Sequence, residues 1–361
     1  MVSTSTFTSL TKRGRKIVLC LPMGGLNDTL CQVSKCIEYA ARNDRDLFID
    51  TRLSGGLQID FFQCFKLLKS FSVNIKNLDR SYDGDEIKKL ISIDHGNSLE
   101  KILDHIQVST SGGAAKYQNK CLTFDFSREY SDPLLIHASD GGGWSSYRLL
   151  HLLTLRTTIR KAVKQAFKNL PKNYISIHVR DTDYSSDYEL FIRQIRGLIS
   201  ASSCLFISSD NPKAVAHVQT VFGKDRVWTI PSPSSIHVNL DSNSPLHSRE
   251  LYLNEKSRFD FSIKCIIDLL LLANGEKIFF PRLGNGMYSG FSVLALHLNK
   301  HKYLITQLIE GNIKNALMSR IIHSSYQSSL IEKLQFNAYR LMPNHYKKAL
   351  ITPATSGYLG L

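Results

Sequence analysis

The sequence lacks the long apolar runs of a membrane protein and the short motifs of the common phosphate and metal sites. No stretch of about 18 uninterrupted apolar residues is present, and the best candidate, residues 261–273, carries Lys264 and Asp268. The chain also has no G-x-x-x-x-G-K-S/T, no H-E-x-x-H, no G-x-S-x-G and no carboxylate cluster spaced for two metals. These absences exclude a membrane span, a P-loop, a zincin-type metal site and a nucleophile elbow.

The amino-terminal segment is basic but has no apolar region behind its charges, so it is not expected to be a secretory signal. The seven cysteines are odd in number and form no C-x-x-C pair. Most of them lie in apolar runs such as VLC, CLTF and CLFI. We therefore expect buried free thiols and a cytoplasmic protein.

The charge is strongly positive, since 45 Lys and Arg against 31 Asp and Glu give a net charge of +14. Such a charge favours polyanionic partners. The basic residues are dispersed along the sequence, and the densest groups, residues 12–16 and 300–302, lack the interleaved aromatic residues of a single-strand-binding groove. Nucleic acid is therefore the weakest partner hypothesis. The hypothesis of a peripheral contact with the anionic cytoplasmic face of an inner membrane is supported by the net charge alone.

Two α/β units follow one another along the chain. Residues 16–21 form an apolar run of strand length that ends in Pro-Met-Gly-Gly, residues 28–42 have helical spacing with Asn27 or Asp28 as N-cap, and residues 47–50 are a second strand. This order predicts a βαβ unit with a parallel sheet.

The same pattern restarts at Asn173. The second unit has predicted strands at 174–179, 204–208, 227–230 and 277–280, and predicted helices at 188–199, 259–273 and 290–298. We predict domains at residues 1–160 and 161–300, a functional loop at 231–248, and a helical tail at 301–361 that packs back on the body.

The most specific candidate site is H-V-R-D-T-D. Alternation along the strand places His178 and Arg180 on one face at its carboxyl end, where open α/β sheets bind ligands. Arg offers a planar donor to phosphate. The alternative is a surface pair of Arg180 with Asp181 or Asp183.

Polar turns that lead into helices support a nucleotide site in the same domain. Residues 208–212 (S-S-D-N-P) and 284–292 (G-N-G-M-Y-S-G-F-S) follow two predicted strands, and the second offers hydroxyls and backbone amides for a diphosphate. Asp268, in a mostly apolar helix, is either an acceptor for a base edge or the i,i+4 partner of Lys264.

In the first unit, the Gly24-Gly25 turn either faces an anion or sugar or is only a tight turn that needs glycine. His137 to Trp144 (H-A-S-D-G-G-G-W) ends the last apolar strand. In this segment, the indole ring of Trp144 is suited to stacking on the face of a sugar. Alternatively, residues 137–144 form an interdomain hinge.

Taken in order, GGLNDTLCQ, IDTR, HVRDTD, SSDNP and DLLLLANGEKIFFPRLGNGMYSGFSVLA resemble the α1,6-fucosyltransferase, NodZ and protein O-fucosyltransferase superfamily across residues 16–300. The resemblance implies a GT-B fold, two Rossmann-like domains facing a cleft. It also implies metal-independent, inverting transfer of L-fucose from GDP-fucose to a hydroxyl of a glycan or polysaccharide, without a cofactor.

The resemblance also implies residue roles. His178 would contact guanosine, Arg180 the β-phosphate and Asp268 the guanine base, and His137 and Trp144 would be acceptor contacts. The remaining implied donor contacts are Ser289, Gly290, Ser292, Asp210, Gly24, Gly25 and Asn27.

The sequence departs from the family pattern near the diphosphate and at the base. Where the family pattern H-V-R-R-T-D-K has its second Arg and its Lys, this sequence has Asp181 and Tyr184. Where the α1,6 enzymes have a glutamate, it has Tyr188. The base therefore stays open among Glu189, Asp187 and no side chain at all.

Two alternatives to a fucosyltransferase remain. One is a glycosyltransferase that uses another nucleotide sugar. The other is a non-catalytic protein of the same fold that binds nucleotides or polyanions.

Overall fold

The structure, a computed structural model, describes residues 16–51, 54–68, 75–77, 114, 116–117, 120–132, 134–143, 145–181, 185–231, 255–284 and 286–311. The predictions for Trp144, for Asp183, for nearly all of the loop 231–248 and for the tail after residue 311 lie outside these residues. The chain divides into two compact units, Met1–Leu153 and Thr154–Leu361. Each unit has its own parallel sheet.

Three strands of the first unit, Lys16–Pro22, Arg45–Ile49 and Leu134–Ser139, are buried on both faces. Its helices are α1 Leu26–Arg42, α2 Phe61–Cys64 and α3 Ser146–Leu150. Its strands are β1 Lys16–Pro22, β2 Arg45–Ile49, β3 Phe65–Leu67, β4 Ile75–Asn77, β5 Lys116–Tyr117, β6 Lys120–Cys121 and β7 Leu134–Ser139, and β8 Leu153–Leu155 lies at the division between the units. Four strands pair in parallel in the order β4-β2-β1-β7.

The second unit has the same plan. Its helices are α4 Thr157–Lys168, α5 Tyr188–Arg196, α6 Pro212–Phe222, α7 Glu255–Asn274, α8 Gly290–Lys300 and α9 Lys302–Glu310. Its strands β9 Ile175–Val179, β10 Leu205–Ser209, β11 Val227–Trp228 and β12 Ile278–Phe279 pair in parallel in the order β11-β10-β9-β12. Helices α5 and α6 pack against each other, and α7 packs against α4, α8 and α9.

Numbered along the chain, the four main strands of each unit lie in the order 3-2-1-4, which matches the first four positions of the Rossmann strand order 3-2-1-4-5-6. The prediction of an α/β chain with two Rossmann-like parts is therefore confirmed. The predicted domain boundary at residue 160 falls inside α4, the first helix of the second unit.

The predicted N-cap of α1 is wrong. The helix begins at Leu26 and Gly25 is its N-cap. Gly24 adopts φ +75, so the chain turns into the helix before it reaches Asn27. Asp28 is then the third helical residue, and its Oδ2 accepts the Gly25 N–H at 2.9 Å.

Several other predicted features differ in detail. Helix α7 extends beyond 259–273 at both ends, α5 ends before residue 199, and β11 ends at Trp228. Cys20, Cys31, Cys36 and Cys64 are buried free thiols, but Cys121 is exposed, so the expectation of burial is wrong for that residue. Among the described residues, no helix is long and apolar enough to cross a membrane.

We expect Gly56→Ala to destabilise the first unit, because the added Cβ would lie 2.2 Å from the Leu26 backbone nitrogen at the start of α1. A clash with backbone is relieved only by moving the helix, so the free energy of unfolding should fall by about 3 kcal/mol. Gly197→Ala is the matched control, because its Cβ would have nothing within 4 Å and Gly197 has an ordinary φ of −70. Urea unfolding curves measure both, and equal curves for the two variants would contradict the packing described here.

Candidate functional site

The strand order marks one position at the edge of the second sheet. From β9 the chain passes to β10 and β11 on one side, and β12 lies on the other side of β9. The carboxyl ends of β9 and β12 are therefore a topological switch point, where open α/β sheets bind ligands. The segments that follow these two strands are tied together, since the Gly284 N–H donates to the Ser185 carbonyl at 2.8 Å.

His178 lies at this position and is held by α8. It is the fourth residue of β9 and is 7% exposed. Its Nδ1 lies 2.6 Å from the hydroxyl of Ser292, in the first turn of α8. Its Nε2 has no hydrogen-bond partner among the described residues, so a neutral imidazole keeps one nitrogen for a ligand.

The electrostatics keep this imidazole neutral. Burial and then the positive charge of Arg180 lower the pKa of His178 from 6.5 to about 3. Arg180 directly follows β9 and is half-buried. The predicted grouping of His178 and Arg180 at the end of the strand is thus present in the structure.

This pKa predicts how stability depends on pH. The unfolded chain binds the His178 proton near pH 6.5 and the folded chain only near pH 3, so protonation favours unfolding between these values. The free energy of unfolding should therefore rise with pH up to about 6.5, by at most about 1.4 kcal/mol per pH unit for this residue. Denaturant titrations from pH 5 to 6.5 give the free energy of unfolding at each pH. Its slope against pH should be smaller for His178→Gln than for wild type, by up to the contribution of one proton, about 1.4 kcal/mol per pH unit. A slope equal to that of wild type would show that the buried imidazole is not kept neutral.

A second buried polar group lies beside His178. Ser208, the neighbour of His178 across β9 and β10, donates its hydroxyl to Asp268 Oδ2 at 2.9 Å. Lys264, one turn earlier on α7, forms an ion pair with the same oxygen. Asp268 Oδ1 is buried without a hydrogen-bond partner. The i,i+4 pair with Lys264 is therefore present, and the role of Asp268 as an acceptor for a base edge stays a prediction.

The N-terminus of α8 adds further polar groups to this edge. Ser289 is its N-cap residue and Gly290 its first residue. Ser289 is buried, but its side chain makes no capping hydrogen bond. The first-turn N–H groups of an 11-residue helix, with its dipole, favour an anion at this end.

Asp181 and Asp210 hold the backbone of the loop after β9. Asp210 Oδ1 accepts the Asp181 N–H at 2.8 Å. The two carboxylate oxygens of Asp181 accept from the Ser186 N–H and from Asn211 Nδ2, each at 2.8 Å. The carboxylate at the family's second Arg position is therefore engaged within the loop, a role that no local sequence signal indicates.

The two base candidates differ in what they bind. Asp187 is the N-cap of α5, and its Oδ1 accepts the Leu190 N–H at 3.0 Å. Glu189 is exposed in the first turn of the same helix and has no hydrogen-bond partner among the described residues.

The first unit has an equivalent switch point between β1 and β7. Gly24 and Gly25 lie in the turn after β1. Asn27 is buried, and its Oδ1 accepts the Ser146 hydroxyl at 2.6 Å. The loop after β7 packs closely on this helix start, because a Cβ on Gly142 would lie 2.8 Å from Asn27 Nδ2.

His137 is part of a relay that sequence reasoning missed. Its Nε2 lies 2.8 Å from Gln32 Oε1 and its Nδ1 2.9 Å from the Thr123 hydroxyl, while burial lowers its pKa to about 3. Gln32 Nε2 donates to the carbonyls of Asp140 and Gly141. His137 is 3% exposed, so it acts on the glycine-rich loop through Gln32. The residues of this relay are far apart in the sequence, so no short motif could reveal it.

No family model matches the chain, and no curated protein matches it either. Among solved structures, fucosyltransferase NodZ from Bradyrhizobium is similar at 18% identity and a TM-score of 0.48, covering 78% of this chain and 91% of that chain. NodZ alpha-1,6-fucosyltransferase co-crystallised with GDP is similar at 18% identity and a TM-score of 0.46, covering 78% and 92%. POFUT1 in complex with GDP-fucose is similar at 12% identity and a TM-score of 0.41, covering 78% and 93%.

Proposed function

We propose that the chain is a fucosyltransferase of the GT-B type that moves L-fucose from GDP-fucose to a hydroxyl of a glycan or polysaccharide. The observation that carries the proposal is the polar group at the switch point of the second unit. It combines a neutral His178, the charge of Arg180, the buried Asp268 Oδ1, which has no hydrogen-bond partner among the described residues, and the N-terminus of α8. A nucleoside diphosphate needs these elements, namely a base acceptor, a directional hydrogen bond and an anion site.

The proposed donor pose follows from the chemistry of each group. Asp268 Oδ1 accepts an N–H from the guanine edge, which carries such donors. His178 Nε2 contacts the guanosine portion. Arg180 and the first turn of α8, with Ser289 and Gly290, bind the diphosphate.

The proposed reaction breaks the bond between the anomeric carbon and the β-phosphate oxygen, and it forms a bond from that carbon to the acceptor oxygen. The electron pair of the broken bond leaves with GDP. Arg180 and the helix N–H groups stabilise this developing charge because they are fixed before the reaction begins. We propose that these groups are sufficient without a metal ion.

The acceptor proton goes to a carboxylate on the opposite face of the sugar, and attack from that face inverts the anomeric configuration. Glu189 is the first candidate, because its oxygens are not engaged by the backbone as those of Asp187 are. Gly24, Gly25 and Asn27 of the first unit are proposed as further contacts to the donor. The acceptor role proposed for His137 is to hold the loop that ends at Gly143, next to Trp144.

The test is the release of GDP from GDP-fucose by the purified chain, with water as acceptor and with EDTA present. We expect release of GDP above the uncatalysed rate and no comparable release of nucleotide from UDP-, ADP- or CMP-sugars. Preference for one of those donors would favour a different nucleotide-sugar transferase. Binding of GDP-fucose without turnover, with water and with glycan acceptors alike, would favour a non-catalytic binding protein.

A further inference from the structure

Helix α4 presents a row of lysines to solvent. Its buried side is made of Ile159, Val163 and Ala166. The exposed Lys161, Lys164 and Lys168, here called the lysine stripe, are spaced i, i+3 and i+7. At 3.6 residues per turn this spacing places all three on one side of the helix, opposite the buried side, over a length of about 10 Å.

The lysine stripe is unfavourable for the helix itself. Lys161 and Lys164 are three residues apart and Lys164 and Lys168 four, so like charges are neighbours. Helix α4 contains no acidic residue and has none in its first turn to complement the dipole. In α5, by contrast, Glu189 lies in the first turn and Arg193 and Arg196 in the last. Lys168 lies in the last turn of α4, where a positive charge complements the dipole, so local stability accounts for Lys168 but not for Lys161 and Lys164.

Among the described residues, one ion pair involves the lysine stripe. It joins Lys164 to Glu310 at 2.9 Å, with both side chains about half exposed (50% and 47%), and such pairs contribute little. Exposed Lys172 extends the positive surface beyond the C-terminal end of the helix. Helical folding thus concentrates charges that are dispersed along the sequence.

We propose that the lysine stripe of α4 binds an anionic phospholipid surface. Clusters of four to eight basic residues are attracted to anionic lipid headgroups, and the three lysines of the stripe with Lys172 make four. Because the apolar side of α4 is packed in the core, the contact is electrostatic and involves no insertion. This surface is independent of the proposed reaction.

The character of the stripe favours a lipid surface over a nucleic acid. The exposed residues of α4 include no aromatic side chain on which a base could stack. Lysine is a compact, strongly hydrated point charge, whereas arginine is the usual choice for nucleic-acid recognition.

Binding of lipid at α4 also leaves the candidate site open. The C-terminal end of α4 leads directly into β9. Lys168 therefore lies towards the amino end of that strand, whereas His178 lies near its carboxyl end.

The experiment is co-sedimentation of the full chain with vesicles of phosphatidylcholine alone and with vesicles that also contain phosphatidylglycerol. We expect binding only to the anionic vesicles, and binding that weakens as salt is raised. The variant Lys161→Gln/Lys164→Gln/Lys168→Gln should lose on the order of 100-fold in vesicle partitioning. A Lys→Arg triple variant at the same positions should retain it.

The matched control is Arg193→Gln/Arg196→Gln/Lys224→Gln, which removes three exposed charges elsewhere in the second unit. This control should bind the vesicles within a few-fold of wild type. Equal losses in both triple variants would show that net charge alone acts and would overturn the assignment to α4. Absence of wild-type binding to anionic vesicles would overturn it as well. So would release from vesicles by duplex DNA together with loss of DNA binding in the lysine variant, which would assign the stripe to nucleic acid.

Discussion

Arg180→Ala is expected to reduce GDP release from GDP-fucose by about 10²–10³-fold while leaving the protein folded. The guanidinium lies at the carboxyl end of β9, close enough to His178 to lower the pKa of its imidazole. In the proposed reaction it stabilises the charge that develops on the departing diphosphate. The side chain is half-buried at the end of a strand, so its loss should cost little stability. Turnover and thermal unfolding, measured on the same preparation, separate the two effects.

Arg193→Ala is the control for this variant. Arg193 is an exposed arginine of the neighbouring helix α5, so its removal lowers the net charge equally without touching the switch point. It should turn over like wild type. If Arg180→Ala also turns over like wild type, the proposed donor site is wrong.

Glu189→Gln is expected to reduce transfer by about 10²-fold or more, with unchanged affinity for GDP, because a general base acts on the proton and not on donor binding. Asp187→Asn is the matched comparison. Asparagine caps helices about as well as aspartate, so this variant keeps the bond to the Leu190 N–H and removes only the charge. We expect its effect on transfer to be small.

The two variants together decide the base. A loss confined to Asp187→Asn would move the role to Asp187, and normal turnover in both would show that the reaction uses neither carboxylate. A parallel loss of GDP affinity would instead indicate a role in donor binding.

Sequence reasoning succeeded where local rules decide the structure. The apolar run before Gly24 and the spacing of α1 predicted the first βαβ unit, because both faces of β1 are buried. Asn211 followed by Pro212 predicted the start of α6, and the Asn211 side chain caps it as expected.

The sequence could not predict features that depend on distant contacts. Ser292 lies 114 residues from His178 and Ser208 60 residues from Asp268, so the order of the strands, and not a local pattern, brings them together. The start of α1 was missed because it depends on the turn made by Gly24. The lysine stripe was missed because lysines spaced over residues 161–168 look dispersed until the helix places them on one side.

Thermal unfolding of the wild-type chain with GDP, UDP, ADP and CMP tests the central claim most directly. A ligand that binds only the native state raises the unfolding temperature, by an amount that grows with the logarithm of the ratio of ligand concentration to Kd, and no acceptor needs to be known. The buried, unpaired Oδ1 of Asp268 and the proposed anion site at Arg180 and α8 predict that GDP gives the largest increase. Stabilisation by UDP without stabilisation by GDP would contradict the assignment of the second unit as a GDP-fucose site.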